Sequence, residues 1–202
     1  MKQEKTTRQK RITLLAVIAV LLGVCIALGF LIAPGIDEAL YPRKYQETVE
    51  KYAKQYDVPV NLVYAVMRTE SDFRSDAVSS AGAIGLMQMM PATFRWLSDD
   101  MLGEWLEDEM LYDAETNIRY GVYYLRRLYD RYGDWMTACA AYNAGSGRVD
   151  GWLKDKTLTD LQGNLIASHI PIGETRAYVR KIQKAYLAYE RLYPTGTPLS
   201  FL

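Results

Sequence analysis

Chemistry in this chain converges first on one carboxyl, Glu70. In the stretch Pro59 to Phe73, Leu62, Val63, Val66 and Met67 recur at the three and four spacing of one buried helical face, and Glu70 continues that stripe. Pro59 suits the first turn of the helix. A carboxyl placed there is partly withdrawn from water and stands at the negative end of the helix dipole, and both effects disfavour its ionised form. Those are the requirements of a general acid. The same side chain could instead turn into solvent or pair with Arg68 or Arg74, since most acidic residues are solvated.

Two further stretches have unusual residue types. Gly82 to Thr93 (Gly-Ala-Ile-Gly-Leu-Met-Gln-Met-Met-Pro-Ala-Thr) combines glycines that allow close backbone approach with a methionine run and a single amide, Gln88. Read singly, Met87, Met89 and Met90 are core fillers before they are ligand contacts. Ala141 to Gly147 sets Asn143 at a helix end, where it serves equally as a terminating residue, with Tyr142 as a core aromatic. In the short amphipathic piece from Trp96 to Glu109, Trp96 and Trp105 read as packing residues ahead of sugar platforms, and their spacing leaves both readings open. His169 is the single histidine and no Cys or Asp cluster has ligand spacing, so neither a metal nor a cofactor is expected.

The elements that must hold these residues are helical almost throughout. Lys44 to Gln55 carries Tyr45, Val49, Tyr52 and Ala53 at helical spacing, and Asp57 to Pro59 breaks it before the Glu70 helix. Ser71 to Ala83 lacks either period and reads as a loop, and Pro91 opens another helix. A long helix follows Asp113, with Ile118, Val122, Leu125 and Leu128 on one face and an end near Gly133. Asp134 is an N-cap for Trp135 to Tyr142, which stops at the glycines. Thr157 to Pro171 is irregular, and the last helix, Glu174 to Leu192, aligns Tyr178, Ile182, Tyr186 and Tyr189. The fold class is mainly α.

Ahead of this domain, Leu14 to Ala33 runs 20 residues without a charge, enough at about 1.5 Å per residue to span a hydrocarbon core of roughly 30 Å. A cleaved signal peptide has a shorter apolar region, about 7 to 15 residues, so the stretch reads as a retained transmembrane anchor. The basic arm before it stays in the cytoplasm by the positive-inside rule, placing the rest of the chain outside the cell membrane. The expected organisation is a cytoplasmic arm over 1–11, an anchor over 12–33, a linker over 34–43, a catalytic domain over 44–193 and a tail over 194–202. Lysine plus arginine and aspartate plus glutamate both number 24, but the arm leaves 19 basic and 23 acidic residues beyond the apolar stretch. That acidic excess argues against a nucleic-acid partner. Cys25 and Cys139 form no disulfide framework.

Together, Thr69-Glu-Ser71, Gly85-Leu-Met-Gln-Met-Met-Pro-Ala-Thr93, Ala141-Tyr-Asn-Ala-Gly145 and Glu174-Thr-Arg-Ala-Tyr-Val179 resemble the catalytic domain of the soluble lytic transglycosylases, relatives of goose-type lysozyme. The likeness covers roughly Lys44 to Tyr193. It implies a lysozyme-like fold, peptidoglycan glycan strands as substrate, and Glu70 as the catalytic acid and base. It further implies that Tyr178 approaches the catalytic carboxyl, that Ser71, Met87 and Gln88 hold substrate or line the groove, and that Tyr142 and Asn143 bind sugar near the cleaved bond. A hydrolytic muramidase would need a second carboxylate, for which Asp72 and Asp76 are the nearest candidates. A non-catalytic wall-binding module is the remaining alternative.

Overall fold

The computed structural model describes residues 15, 17, 18, 20–24, 38–196 and 199. The expected membrane span lies largely outside these, and among the described residues no helix is long and apolar enough to cross a membrane. Residues 1–42 and 43–202 form two separate units, and the second carries the site.

Seven α-helices make up that second unit among the described residues: α1 (Gln46–Gln55), α2 (Val60–Ser71), α3 (Pro91–Arg95), α4 (Ala114–Tyr132), α5 (Trp135–Ala144), α6 (Ser146–Trp152) and α7 (Gly173–Leu192). Their starts are written locally. The Asp113 carboxylate accepts from the Thr116 N–H at 2.8 Å, and Asp134 accepts from the Thr137 N–H at 2.7 Å, each cap contributing about 1 kcal/mol. Pro91 occupies the first turn of α3, and Gly133 closes α4 in the left-handed region with φ 69°. The sequence reading missed α6, because Gly145 and Gly147 look like terminators. Gly145, with φ 86°, instead serves as the hinge between α5 and a new helix that buries only Val149.

Helix α2 differs from its expected single apolar face in being buried all round from Asn61 to Met67. It packs most extensively against α7 and also touches α1, so its polar Asn61 must be satisfied inside the protein. The Asn61 amide donates to Glu190 Oε1 at 2.7 Å and to the Tyr193 carbonyl at 2.8 Å, tying the start of α2 to the end of α7. Helix α5 is likewise buried throughout from Trp135 to Ala141 and packs on α4, α6 and α7.

Helix α2 stops abruptly because Asp72 and Phe73 both adopt left-handed backbone, φ 51° and 63°. Phenylalanine rarely sits there, at a cost of about 1–3 kcal/mol. Burial of the Phe73 ring against Tyr64, 6.4 Å between centroids, offsets that cost. The chain from 72 to 90 then folds back as a loop in which Ile84 bridges to both Val78 and Met89. Trp96–Leu102 continues α3 as a π-helical segment, and Asp108–Tyr112 forms a 3₁₀ turn. Trp96 is 40% and Trp105 76% exposed, and the Trp96 ring meets Tyr124 edge-on at 6.5 Å.

Candidate active site

Glu70 ends α2, and Tyr178 stands 108 positions later on α7; the close packing of these two helices brings the Tyr178 hydroxyl to donate to Glu70 Oε1 at 2.6 Å. Burial pushes the Glu70 carboxyl up to about 7, while the Tyr178 hydroxyl pulls the other way by stabilising the carboxylate. These two influences account for the shift. Tyr178 is itself buried, and burial together with the adjacent Glu70 charge holds its proton firmly, so it stays a donor. Cys139 and Tyr142 of α5 complete the surroundings: both feel the Glu70 charge, and burial pushes each upward, so both remain neutral. A carboxyl that titrates near neutrality can give a proton in one step and accept one in the next.

A cleft of about 180 Å³ is lined among others by Gln88, Thr93, Tyr124, Tyr142 and Asn143, and Tyr142, which feels the Glu70 charge, links it to the carboxyl. Its floor is held by a chain of hydrogen bonds. Asn117 of α4 is buried; its oxygen accepts from the Met87 N–H at 2.8 Å, and its amide donates to the carbonyls of Ile84 at 2.9 Å and Leu111 at 2.8 Å. The Met87 carbonyl then accepts from the Tyr142 hydroxyl at 2.8 Å. Gly85 makes this clamp possible. It sits at φ 80°, and a Cβ there would lie 2.2 Å from Asn117 Nδ2.

Of the residues expected at the site, Glu70 and Tyr178 meet directly, while Gln88, Tyr142 and Asn143 line the cleft. Gln88 is held at φ 48° by its own side chain, whose amide donates to the carbonyls of Ala77 and Gly85, both at 3.0 Å. Ser71 and Met87 lie beneath the surface. Ser71 is 2% exposed and its hydroxyl donates to the Leu86 carbonyl at 2.8 Å, while the Met87 side chain packs on Gly121. Both are tied to the methionine loop, Ser71 through the Leu86 carbonyl and Met87 through Asn117. Asp72 and Asp76 are exposed, and Asp72 lies 3.7 Å from Arg68. Among the described residues no group of three or more His, Cys, Asp or Glu side chains is placed to hold a metal ion.

Sequence reasoning missed Asn117 and Tyr124. The signal was there: Asn117, Gly121 and Tyr124 recur at i, i+4 and i+7, a second face of α4 beside the apolar stripe of Ile118, Val122 and Leu125. Asn117 and Gly121 of that face turn toward the methionine loop, and Tyr124 lines the cleft.

Residues 47–162 match the family described as the transglycosylase SLT domain. The soluble lytic murein transglycosylase of Escherichia coli K12 is 33% identical over 163 residues, which cover 80% of this chain and 25% of that protein. The membrane-bound lytic murein transglycosylase C of Pectobacterium atrosepticum is 31% identical over 169 residues, 73% of this chain and 47% of the relative. Among solved structures, the 70 kDa soluble lytic transglycosylase of Escherichia coli superposes with a TM-score of 0.71 at 31% identity, covering 78% of this chain and 26% of that one. An inactive mutant of the lytic transglycosylase Slt from Pseudomonas aeruginosa gives a TM-score of 0.68 at 34% identity, covering 75% of this chain and 24% of that one. The chain thus spans between about a quarter and a half of the length of these relatives.

Proposed function

The chain belongs to the transglycosylase SLT domain family, and from that premise we propose that it is a peptidoglycan lytic transglycosylase that cuts the β-1,4 bond between N-acetylmuramic acid and N-acetylglucosamine. The observation that carries this reading is the state of Glu70, whose proton affinity is raised to about 7 by burial and moderated by one tyrosine hydroxyl. A single carboxyl that titrates near neutrality suffices for a two-step proton relay. Glu70 first protonates the glycosidic oxygen, and the C1–O bond of the muramic acid breaks. The N-acetyl oxygen of the same sugar supports the developing positive charge at C1, as in substrate-assisted glycosidases. Glu70, now a carboxylate, takes the proton from that sugar's C6 hydroxyl, and O6 closes on C1. Glu70 ends as it began, protonated, and no water is consumed.

Tyr178 serves both steps by orienting the carboxyl and by keeping its carboxylate form within reach. Gln88, Tyr142 and Asn143 supply polar contacts to the sugars in the cleft, and Ser71 and Met87 hold its floor. The intramolecular attack is favoured over water because its nucleophile is already tethered, an advantage that for well-oriented cases reaches an effective molarity of about 10⁵ M or more. The charge-free run Leu14 to Ala33 supports a single-pass anchor with the arm of residues 1–11 in the cytoplasm and the domain outside, and a relative of this chain carries membrane-bound in its name.

Digestion of purified peptidoglycan tests the reaction. The products should end in 1,6-anhydro-N-acetylmuramic acid, one water lighter by mass spectrometry than hydrolysed ends. A digest with mainly reducing ends would make the enzyme a muramidase, with Asp72 and Asp76 the next residues to substitute. Failure of the chain to cleave the polymer at all would leave a wall-binding module.

A further inference from the structure

We propose that the outward face of α7 is a wall-docking surface, a cationic ridge that holds the acidic stem peptides of peptidoglycan lying outside the cleft. This rests on the glycan-cleaving reading given above and adds to it a second contact with the same polymer.

The ridge follows from which side of α7 the core takes. Tyr178, Val179, Ile182, Ala185, Tyr186 and Tyr189 are buried, which turns Arg180, Lys181, Lys184, Leu187 and Arg191 to solvent. Arg180, Lys184, Leu187 and Arg191 follow one another at intervals of four, three and four, so they stand in one row about 16 Å long. Glu190, the one acid of α7 beyond its first turn, is engaged elsewhere: its Oε1 accepts from the Asn61 amide and from the Thr195 hydroxyl, both at 2.7 Å.

Nothing in the fold of the helix calls for these charges. Elsewhere in the domain Arg43, Lys51, Arg95, Arg119, Arg126 and Arg131 each meet a carboxylate, whereas among the described residues Arg180, Lys181 and Lys184 meet none. Arg176, Arg180 and Lys184 stand at four-residue spacing, where like charges repel and weaken a helix. Arg180, Lys181 and Lys184 also sit in the middle turns of α7, too far from its C-terminus to gain from the helix dipole. The chain beyond the apolar stretch has 19 basic residues against 23 acidic ones, yet it gathers cations on this face at the helix's own expense. Such a face is complementary to an anionic partner.

The partner is identified by what the ridge has and what it lacks. Its cations are long side chains spread along a convex helix, suited to separate anions along a polymer rather than to one small enclosed ion. Leu187, 48% exposed, is its single large apolar residue, and the aromatic stripe of α7 is spent on the core, so the ridge lacks the apolar face with which a helix enters a lipid surface. Peptidoglycan offers the matching pattern, because its muramic acids bear short peptides with free carboxylates that repeat along the strand. Tyr178 meets Glu70 from the buried side of α7 and the ridge looks away from it, across a helix diameter of about 10 Å. The ridge thus meets wall that the cleft does not hold, and two contacts with one polymer raise the effective concentration of strands at the cleft.

The test uses the full chain in detergent with Glu70→Gln and measures its binding to purified cell wall by sedimentation. Adding Arg180→Gln, Lys181→Gln and Lys184→Gln should weaken binding about tenfold or more at low salt and flatten its salt dependence. With Glu70 intact, the same triple change should raise KM for whole wall by a similar factor and leave kcat/KM for a soluble four-sugar fragment within about twofold, because that fragment occupies the cleft alone. Converting the wall's carboxylates to amides should bring the chain with an intact ridge down to the triple variant, and Lys181→Arg with Lys184→Arg, which keeps the charge, should bind like the parent. Equal wall binding by the triple variant and its parent would overturn the proposal, as would an equal loss on the four-sugar fragment. Binding that survives amidation but is lost when phosphodiester polymers are stripped from the wall would overturn it in favour of a phosphate polymer, and ridge-dependent binding to anionic phospholipid vesicles but not to wall would do so in favour of a lipid surface. Should the triple variant fail to fold, amidation of the wall and the charge-keeping variant decide. Failure of the intact chain to cut either substrate would count against the glycan-cleaving reading, while the ridge is judged separately by binding.

Discussion

Replacing Tyr178 by Phe removes one hydroxyl and leaves the buried ring in place, which isolates what the 2.6 Å hydrogen bond does for Glu70. That bond stabilises the carboxylate, and burial, the larger influence, opposes ionisation. Without the hydroxyl only the upward push remains. A hydrogen bond to a charged group is worth about 1.5–3 kcal/mol, which at about 1.4 kcal/mol per unit corresponds to roughly one to two pH units. The Glu70 carboxyl, titrating near 7 in the parent, should therefore move to roughly 8 or above. The assay is the pH dependence of kcat/KM for wall lysis, whose alkaline limb reports loss of the essential proton in the free enzyme. In Tyr178→Phe this limb should shift to higher pH, while the maximal rate falls because the carboxyl is less well oriented and its carboxylate harder to form. KM should change less than kcat. A limb that stays in place or moves to lower pH would refute the reasoning, and loss of binding with turnover intact would make Tyr178 a substrate contact.

Glu70→Gln should lower the lytic rate by about 10² to 10⁴, the usual worth of general acid–base catalysis, and activity within about tenfold of the parent would exclude Glu70 from that role. Relative to the parent, the same variant should become more stable as pH rises, because the parent loses stability. The carboxyl titrates higher in the folded protein than its ordinary 4.5, so its contribution is whole below about 4.5 and is lost as pH rises through about 7; thermal melts should favour the amide by up to about 3 kcal/mol at pH 8 and not at pH 4. Gly85→Ala sets a Cβ against Asn117 at φ 80° and should cost about 2 to 4 kcal/mol in denaturant unfolding, with activity lost alongside as the cleft floor shifts. Protease added outside intact cells should release a fragment beginning near Asp37 while the arm Lys2 to Arg11 stays protected; recovery of a mature chain beginning near Pro34 in the medium would show a cleaved signal instead.

Features written locally were legible in the sequence. The helix start at Asp113, the cap at Asp134, the proline of α3, the glycine after α4 and the aromatic stripe of α7 each depend on residues within one or two turns, and each stands where its spacing put it. Glu70 was legible because a carboxyl extending an apolar stripe is rare enough to notice. What could not be read were contacts made across the chain. Asn117 looks like an ordinary helical asparagine until the loop 30 positions before it folds onto its side chain. The full burial of α2 depends on partners from other parts of the chain, so its own periodicity suggested one face rather than all of them. The exposure of Trp96 depends on which side of α3 the core takes, and Phe94 and Leu97 decide that only in three dimensions.

The proton affinity of Glu70 is set by surroundings that lie far from it in the chain, Tyr178 of α7 among them. Alone, α2 carries an ordinary carboxylate, ionised at neutral pH and with no proton to give. Burial in the folded domain is what pushes it up to about 7, and the Tyr178 hydroxyl of α7 then moderates that push. The proton affinity of Glu70 is thus a property of the folded surroundings and not of the helix that carries it.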